Sequence, residues 1–294
     1  MFSGIWLPIV TPLRNGEVDL DSLQRLAEYY LRTEISGIVA LSTTGEAALL
    51  QEAERITVLQ ALTEVTGSRL PMLIGVGGSN TRDVLRDIQR YERWECAGYL
   101  VSAPSYVCPD QAGVQWHFEQ AALATERPIV LYDVPHRTGV TIAPDTVARL
   151  VECGNIVAIK ECVKEHFDKL SDLPINVLCG TDEALDDCLR HGGTGGILAS
   201  AHVCADLLVA YQDLLGAERD VDARNLFASL LPVLRLLFAA PNPSAIKAML
   251  AFDHSLSDET RMPISRASAQ LVERLSTARD RLQDLRAEFA GVMN

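Results

Sequence analysis

The sequence predicts a (β/α)8 barrel followed by a helical C-terminal extension, and three observations carry that reading. Eight short apolar runs, rich in β-branched residues, recur along residues 5–199, each closing on turn residues. Helical patterns fill the intervals between them. No Gly-x-Gly-x-x-Gly turn follows the first run, which leads instead into Thr11-Pro12-Leu13. Near-continuous apolar runs mark parallel strands buried on both faces. Eight such units in roughly 200 residues are the count of a closed barrel, whereas a doubly wound open sheet uses about six strands and favours that glycine-rich turn.

In chain order, Ile5-Trp6-Leu7-Pro8-Ile9-Val10 is the first strand and Gly37-Ile38-Val39-Ala40-Leu41 the second. Leu70-Pro71-Met72-Leu73-Ile74 and Gly98-Tyr99-Leu100-Val101 follow. The fifth, Ile129-Val130-Leu131, closes on Tyr132, and the sixth, Ile156-Val157-Ala158-Ile159, closes on Lys160. Ile175-Asn176-Val177-Leu178-Cys179 and Gly195-Gly196-Ile197-Leu198-Ala199 complete the set. Apolar residues at helical spacing predict helices over 20–32, 52–66, 81–95 and 144–153, with Asn80 or Thr81 as an N-cap and Pro144 in a first turn. Beyond the eighth strand only helical patterns remain, over 205–215, 221–238, 244–252 and 265–289. The chain therefore divides into a barrel, 1–204, and a helical region packed on it, 205–294. Charges along the last helix, Arg279 and Arg286 among them, read as a solvated face.

Composition narrows the function. With 48% hydrophobic and 22% charged residues the chain is a soluble globular protein, and no apolar run approaches the span of a membrane helix. Its first residues lack the pattern of a signal peptide, so the expected location is cytoplasmic. Seven cysteines, odd in number and without a Cys-x-x-Cys pair, suit reduced thiols. A formal charge of −13 argues against nucleic acid and anionic membranes as partners. The six histidines show no i, i+4 pair and no clustered carboxylates, so no metal is expected.

The chemistry gathers at strand ends, where barrels place their active sites. A lysine directly after four apolar residues is unusual, because burying an ammonium is costly unless it is paired or neutralised. Lys160 either reaches water or pairs with Glu161, or else is desolvated and becomes a nucleophile toward carbonyls. Tyr132, Thr43 and Thr44 fall at strand ends too. Thr43-Thr44-Gly45-Glu46 offers two hydroxyls and backbone amides opening a helix, a cradle for a carboxylate or simply an N-cap. Arg137 pairs either a substrate carboxylate or a structural acid such as Asp133.

Taken together, Val10-Thr11-Pro12, Thr43-Thr44-Gly45-Glu46, Tyr132 with Val134-Pro135, Ile159-Lys160-Glu161, Gly192-Gly193 before Gly196-Ile197, and Pro241-Asn242-Pro243 resemble the dihydrodipicolinate synthase / N-acetylneuraminate lyase family of pyruvate-dependent class I aldolases. The resemblance implies that Lys160 forms a Schiff base with pyruvate, with no other cofactor. It implies that Tyr132 is the acid/base, working through Thr43 to Tyr106, which reaches in from a neighbouring subunit of a homodimer or homotetramer. Thr44 would hold the pyruvate carboxylate, with Gly180 and the Ile197 carbonyl lining the pocket. Val-Pro-x-Arg-Thr-Gly around Arg137 resembles the synthases, whose arginine takes the carboxylate of aspartate semialdehyde. Asp133, His136, Ser105 and Cys162 depart from the usual family residues. The alternatives are a lyase or dehydratase acting on a 2-keto-3-deoxy sugar acid or N-acetylneuraminate, and a catalytically silent relative.

Overall fold

The computed structural model describes residues 2–290; Met1 and residues 291–294, the end of the expected helical region, lie outside the described residues. Eight parallel strands close one barrel: β1 (Gly4–Leu7), β2 (Gly37–Ala40), β3 (Met72–Val76), β4 (Gly98–Ser102), β5 (Ile129–Asp133), β6 (Ile156–Glu161), β7 (Asn176–Cys179) and β8 (Gly195–Ile197). Each pairs with its neighbours in sequence, and β8 pairs back onto β1, so the sheet has no free edge. The first strand stops at Leu7 rather than running to Val10, because Pro8 has no N–H to give the ladder. Within the turn expected at Thr11-Pro12-Leu13 begins a two-stranded antiparallel ribbon, Leu13–Arg14 with Glu17–Val18. It turns over Asn15-Gly16, both at positive φ (55° and 84°), the pair that tight hairpins favour.

The helices are α1 (Leu20–Tyr30), α2 (Glu52–Thr66), α3 (Thr81–Tyr91), α4 (Gln111–Leu123), α5 (Pro135–Thr138), α6 (Pro144–Leu150), α7 (Phe167–Ser171), α8 (Leu185–Arg190), α9 (Ala201–Gly216), α10 (Asp220–Leu237), α11 (Ser244–Asp253) and α12 (Ala269–Phe289). Asn80, not Thr81, caps α3, its side chain accepting from Arg82 N. The last helix begins at Ala269 rather than 265, where Ser268 in extended conformation accepts from Leu271 N. α9 packs beside β1, α10 and α11 pack on α9, and α12 packs on α10 and α11. Two charges on α12 are not simply solvated: Arg279 holds Asp253, and Arg286 holds Asp206 and the Val203 carbonyl. No described helix is long and apolar enough to cross a membrane.

Alternation along the strands sorts their side chains into two cores. Trp6, Val39, Leu73, Leu100, Val130, Ala158, Leu178 and Ile197 pack together inside the barrel. Their neighbours, such as Leu131 and Ile159, join the larger core between strands and helices. Tyr132 keeps the parity of Val130, and Lys160 that of Ala158, so both side chains point into the barrel. Asp133 and Glu161, one residue on, point out toward the helices.

Candidate active site

Strand register brings the two chemical side chains together. Tyr132 pairs directly with Lys160 across β5 and β6, and Asp133 with Glu161. Lys160 is 5% exposed and Tyr132 8%, and the Lys160 Nζ stands 4.3 Å from the centre of the Tyr132 ring. Lys160 forms no ion pair with a described residue; Glu161 has turned outward and meets His166 instead. Neither a pairing with Glu161 nor an escape to water therefore accounts for this lysine. Gly180, just past β7, makes room beside it: a Cβ there would lie 2.5 Å from Cys162 Sγ and 3.1 Å from Lys160 Cγ.

The segment after β2 presents Thr43 and Thr44 between two residues held at left-handed φ, Leu41 (52°) and Glu46 (56°). Such backbone persists in non-glycine residues only where the surroundings enforce it. The enforcing contacts are Thr11 Oγ1 donating to Gly45 O (2.7 Å), Arg261 N donating to Glu46 Oε1 (2.7 Å), and a buried ion pair of Glu46 with Lys247. Asn242 Nδ2 donates to Thr44 Oγ1 at 3.0 Å. The expected helix opening at this motif is absent. Glu46 at positive φ leads only into a single 3-10 turn, Ala47–Leu49, and α2 starts at Glu52, where its spacing predicts it. The threonine hydroxyls, not a helix N-terminus, are what this loop offers an anion.

A cavity of about 380 Å³ opens over the C-terminal ends of the strands, with Lys160, Thr44, Gly180, Ile197, Arg137 and Tyr132 in its wall. A second, of about 410 Å³, adjoins it and shares Thr43, Tyr132, Arg137 and Asn242. Arg137 and His136 stand exposed on α5 at the mouth; Arg137 does not pair with Asp133. Burial, then the charges of Arg137 and Lys160, push the His136 imidazole below its ordinary value. Tyr106 is not brought into the site within this chain. It is 90% exposed, at φ 71°, and lines neither cavity.

The model of the dihydrodipicolinate synthetase family matches residues 1–280. The chain belongs to that family. It is 33% identical over 283 residues to 4-hydroxy-tetrahydrodipicolinate synthase 2 of Clostridium acetobutylicum, covering 93% of this chain and 98% of the relative. It is 36% identical over 272 residues to 4-hydroxy-tetrahydrodipicolinate synthase of Syntrophobacter fumaroxidans, covering 90% and 93%. The solved structure of 4-hydroxy-tetrahydrodipicolinate synthase from Methylacidiphilum fumariolicum superposes with a TM-score of 0.95 at 30% identity, over 99% of both chains. A monomeric dihydrodipicolinate synthase variant superposes with a TM-score of 0.93 at 30% identity, over 96% of this chain and 97% of its own.

Other groups of this dihydrodipicolinate synthetase family member reach the site without having been picked out as chemical from sequence. Asp182, in the turn after β7, is buried at the cavity wall and accepts from Ser200 N at 2.7 Å. Burial raises its carboxyl, while the Ser200 bonds and the charge of Lys160 oppose that. Its place in Gly180-Thr181-Asp182, straight after an apolar run, was the available signal. Asn242 and Arg235 arrive from the C-terminal region, Arg235 paired with Glu183 at 2.8 Å on the rim. The expected absence of a histidine among carboxylates is overturned: donor atoms of Asp133, Glu161 and His166 lie within 4.8 Å of one another. Strands β5 and β6 supply the two acids in register, and the turn ahead of α7 supplies the histidine.

Proposed function

We propose that this protein is a class I, Schiff-base-forming lyase that condenses pyruvate with L-aspartate 4-semialdehyde to 4-hydroxy-tetrahydrodipicolinate, a step toward lysine and diaminopimelate. The observation that carries the reading is Lys160, 5% exposed and without an ion pair among the described residues, in register beside Tyr132 in a strand-end cavity. The names and the whole-length similarity of the relatives support the choice of substrates.

In this reading the Lys160 amine adds to the keto carbon of pyruvate and water leaves, giving an iminium. That cation is the electron sink, so the chemistry calls for neither a metal nor an organic cofactor. Loss of a methyl proton gives an enamine, which forms the new bond to the aldehyde carbon while the aldehyde oxygen takes up a proton. Tyr132 moves these protons, passing them through Thr43. The substrate amine then displaces Lys160 from the imine carbon and closes the ring. Thr44 holds the pyruvate carboxylate, Gly180 and Ile197 shape its pocket, and Arg137 takes the carboxylate of the aldehyde. Tyr106, projecting at 90% exposure, completes the relay in a second copy, so we propose a homodimer or homotetramer as the working form. Free cysteines throughout the described residues support a cytoplasmic setting.

Trapping tests the mechanism. Incubation with pyruvate and borohydride is expected to leave one reduced adduct, mapped by peptide mass spectrometry to Lys160. A folded protein that gives no adduct overturns the reading in favour of a silent relative. Steady-state assays with aspartate semialdehyde against 2-keto-3-deoxy sugar acids and N-acetylneuraminate test the second substrate.

Two substitutions separate the roles. Tyr132→Phe is expected to keep the trapped adduct and lose about 10²–10⁴-fold in kcat, the usual worth of a positioned acid/base. Arg137→Ala is expected to lower kcat/KM for the aldehyde about 10–100-fold through KM, since a hydrogen bond to a charged group contributes about 1.5–3 kcal/mol. The KM for pyruvate should stay near that of the parent. An equal loss for both substrates would place Arg137 outside the aldehyde site.

A further inference from the structure

Two acidic side chains face each other across neighbouring strands, one residue past the pair that does the chemistry. Asp133 and Glu161 are in direct register, both 0% exposed, and both turned away from the cavity. Like charges that close cannot both stay ionised away from water. His166 closes the group, its Nδ1 3.2 Å from Glu161 Oε2 and 3.7 Å from Asp133 Oδ2, with its side chain 17% exposed. Each acid also anchors a loop of the site. Thr141 Oγ1 donates to Asp133 Oδ2 at 2.7 Å, tying down the far end of the segment that carries His136 and Arg137. Val163 N donates to Glu161 Oε1 at 2.7 Å, fixing the turn that follows Lys160. Asp133 Oδ1 is buried with no hydrogen-bond partner among the described residues.

We propose that Asp133 and Glu161 share one proton at neutral pH, with His166 as their outlet to solvent, and that this trio is a positioning group for Tyr132, Lys160 and the Arg137 segment. With the proton in place, one hydrogen bond joins the ends of β5 and β6. Without it, two carboxylates repel across the same strands whose preceding residues hold Lys160 over Tyr132.

The surroundings set the direction of the pH effect. Burial, then the charge of Asp133, raises the Glu161 carboxyl from its ordinary 4.5 to about 7, against hydrogen bonds from His166 and Val163. Burial also raises Asp133, against hydrogen bonds from Thr141 and Ile142 and the charge of His166. The hydrogen bond to Glu161 raises His166, helped by the charges of Glu161, Asp133 and Glu165 and opposed by burial. All three groups bind protons more tightly folded than unfolded. Their contribution is therefore largest at low pH and is lost as the pH rises through neutrality.

The test compares the full-length parent with Asp133→Asn, whose amide can donate to Glu161 with no proton to lose. Melting temperature, measured from pH 5.5 to 9, should fall on the alkaline side in the parent and stay flatter in the variant. Infrared difference spectra should show a protonated-carboxyl band near pH 6 that titrates away by pH 8.5 and is missing from Asp133→Asn. This second measurement decides the matter in the parent even if the variant does not fold. The alkaline limb of kcat/KM should move upward by roughly one pH unit in the variant. That kinetic readout alone rests on the proposed Schiff-base reaction; failure of borohydride trapping would remove the reaction and leave the melting and infrared results to decide the shared proton. Coincident melting profiles, or no carboxyl band lost with Asp133, overturn the proposal. So does a melting temperature that drops with EDTA, which would show a bound cation where the proton is placed.

Discussion

Lys160→Ala is expected to lose the trapped pyruvate adduct completely and to lower kcat on the order of 10⁴-fold or more, because the covalent route disappears and no second lysine lines the cavity among the described residues. Stability should move the other way. Lys160 is 5% exposed, has no ion-pair partner among the described residues, and holds its ammonium over the Tyr132 ring at 4.3 Å. A cation–π contact contributes about 0.5–2 kcal/mol, while desolvating an unpaired ammonium costs several. The cost is the larger effect, so the melting temperature of Lys160→Ala should equal or exceed that of the parent. Active sites hold strain of this kind, and relieving it raises stability at the expense of function. A variant that loses activity together with several degrees of melting temperature would point instead to a structural lysine. A variant that still carries the adduct would move the nucleophile elsewhere.

The same lysine shows how far sequence alone reaches. The eight strands were readable because parallel strands are buried on both faces and write themselves as apolar runs. Lys160 and Tyr132 were readable because each interrupts such a run at its C-terminal end, where a barrel exposes side chains to a common mouth. Contacts set by register across strands were not readable. Nothing local in Tyr132-Asp133 or Lys160-Glu161 says that Asp133 lies opposite Glu161, or that the turn before α7 brings His166 to both. The backbone of Glu46 was not readable either: Arg261 and Lys247, more than two hundred residues away, hold it, and its positive φ has no local signal. Asn242 and Arg235 join the cavity only because α10 and the segment after it fold back over the barrel mouth.

Lys247→Ala is the substitution expected to cost the most stability. The Lys247 and Glu46 side chains are both fully buried and form an ion pair. Lys247 Nζ also donates to Glu259 O at 2.8 Å, so it joins the loop after β2 to α11 and to the segment before α12. Burial pushes the Lys247 ammonium below its ordinary value, and the charge of Glu46 holds it up. Replacing such a pair by apolar groups is often neutral, but removing one partner strands the other charge and costs about 3–5 kcal/mol. With roughly 2–4 °C per kcal/mol in a chain of this size, Lys247→Ala should melt on the order of 10 °C lower. The double variant Glu46→Gln with Lys247→Met removes both charges and should regain most of that loss, a coupling that a double-mutant cycle reads directly. Activity should not return with stability. Glu46 also accepts from Arg261 N, and these contacts hold the left-handed turn that presents Thr43 and Thr44. A double variant that recovers its melting temperature while its KM for pyruvate stays high would show that the clamp serves the site as well as the fold. Full recovery of both would reduce Glu46 and Lys247 to a structural pair, and a Lys247→Ala protein melting with the parent would mean that water already reaches them.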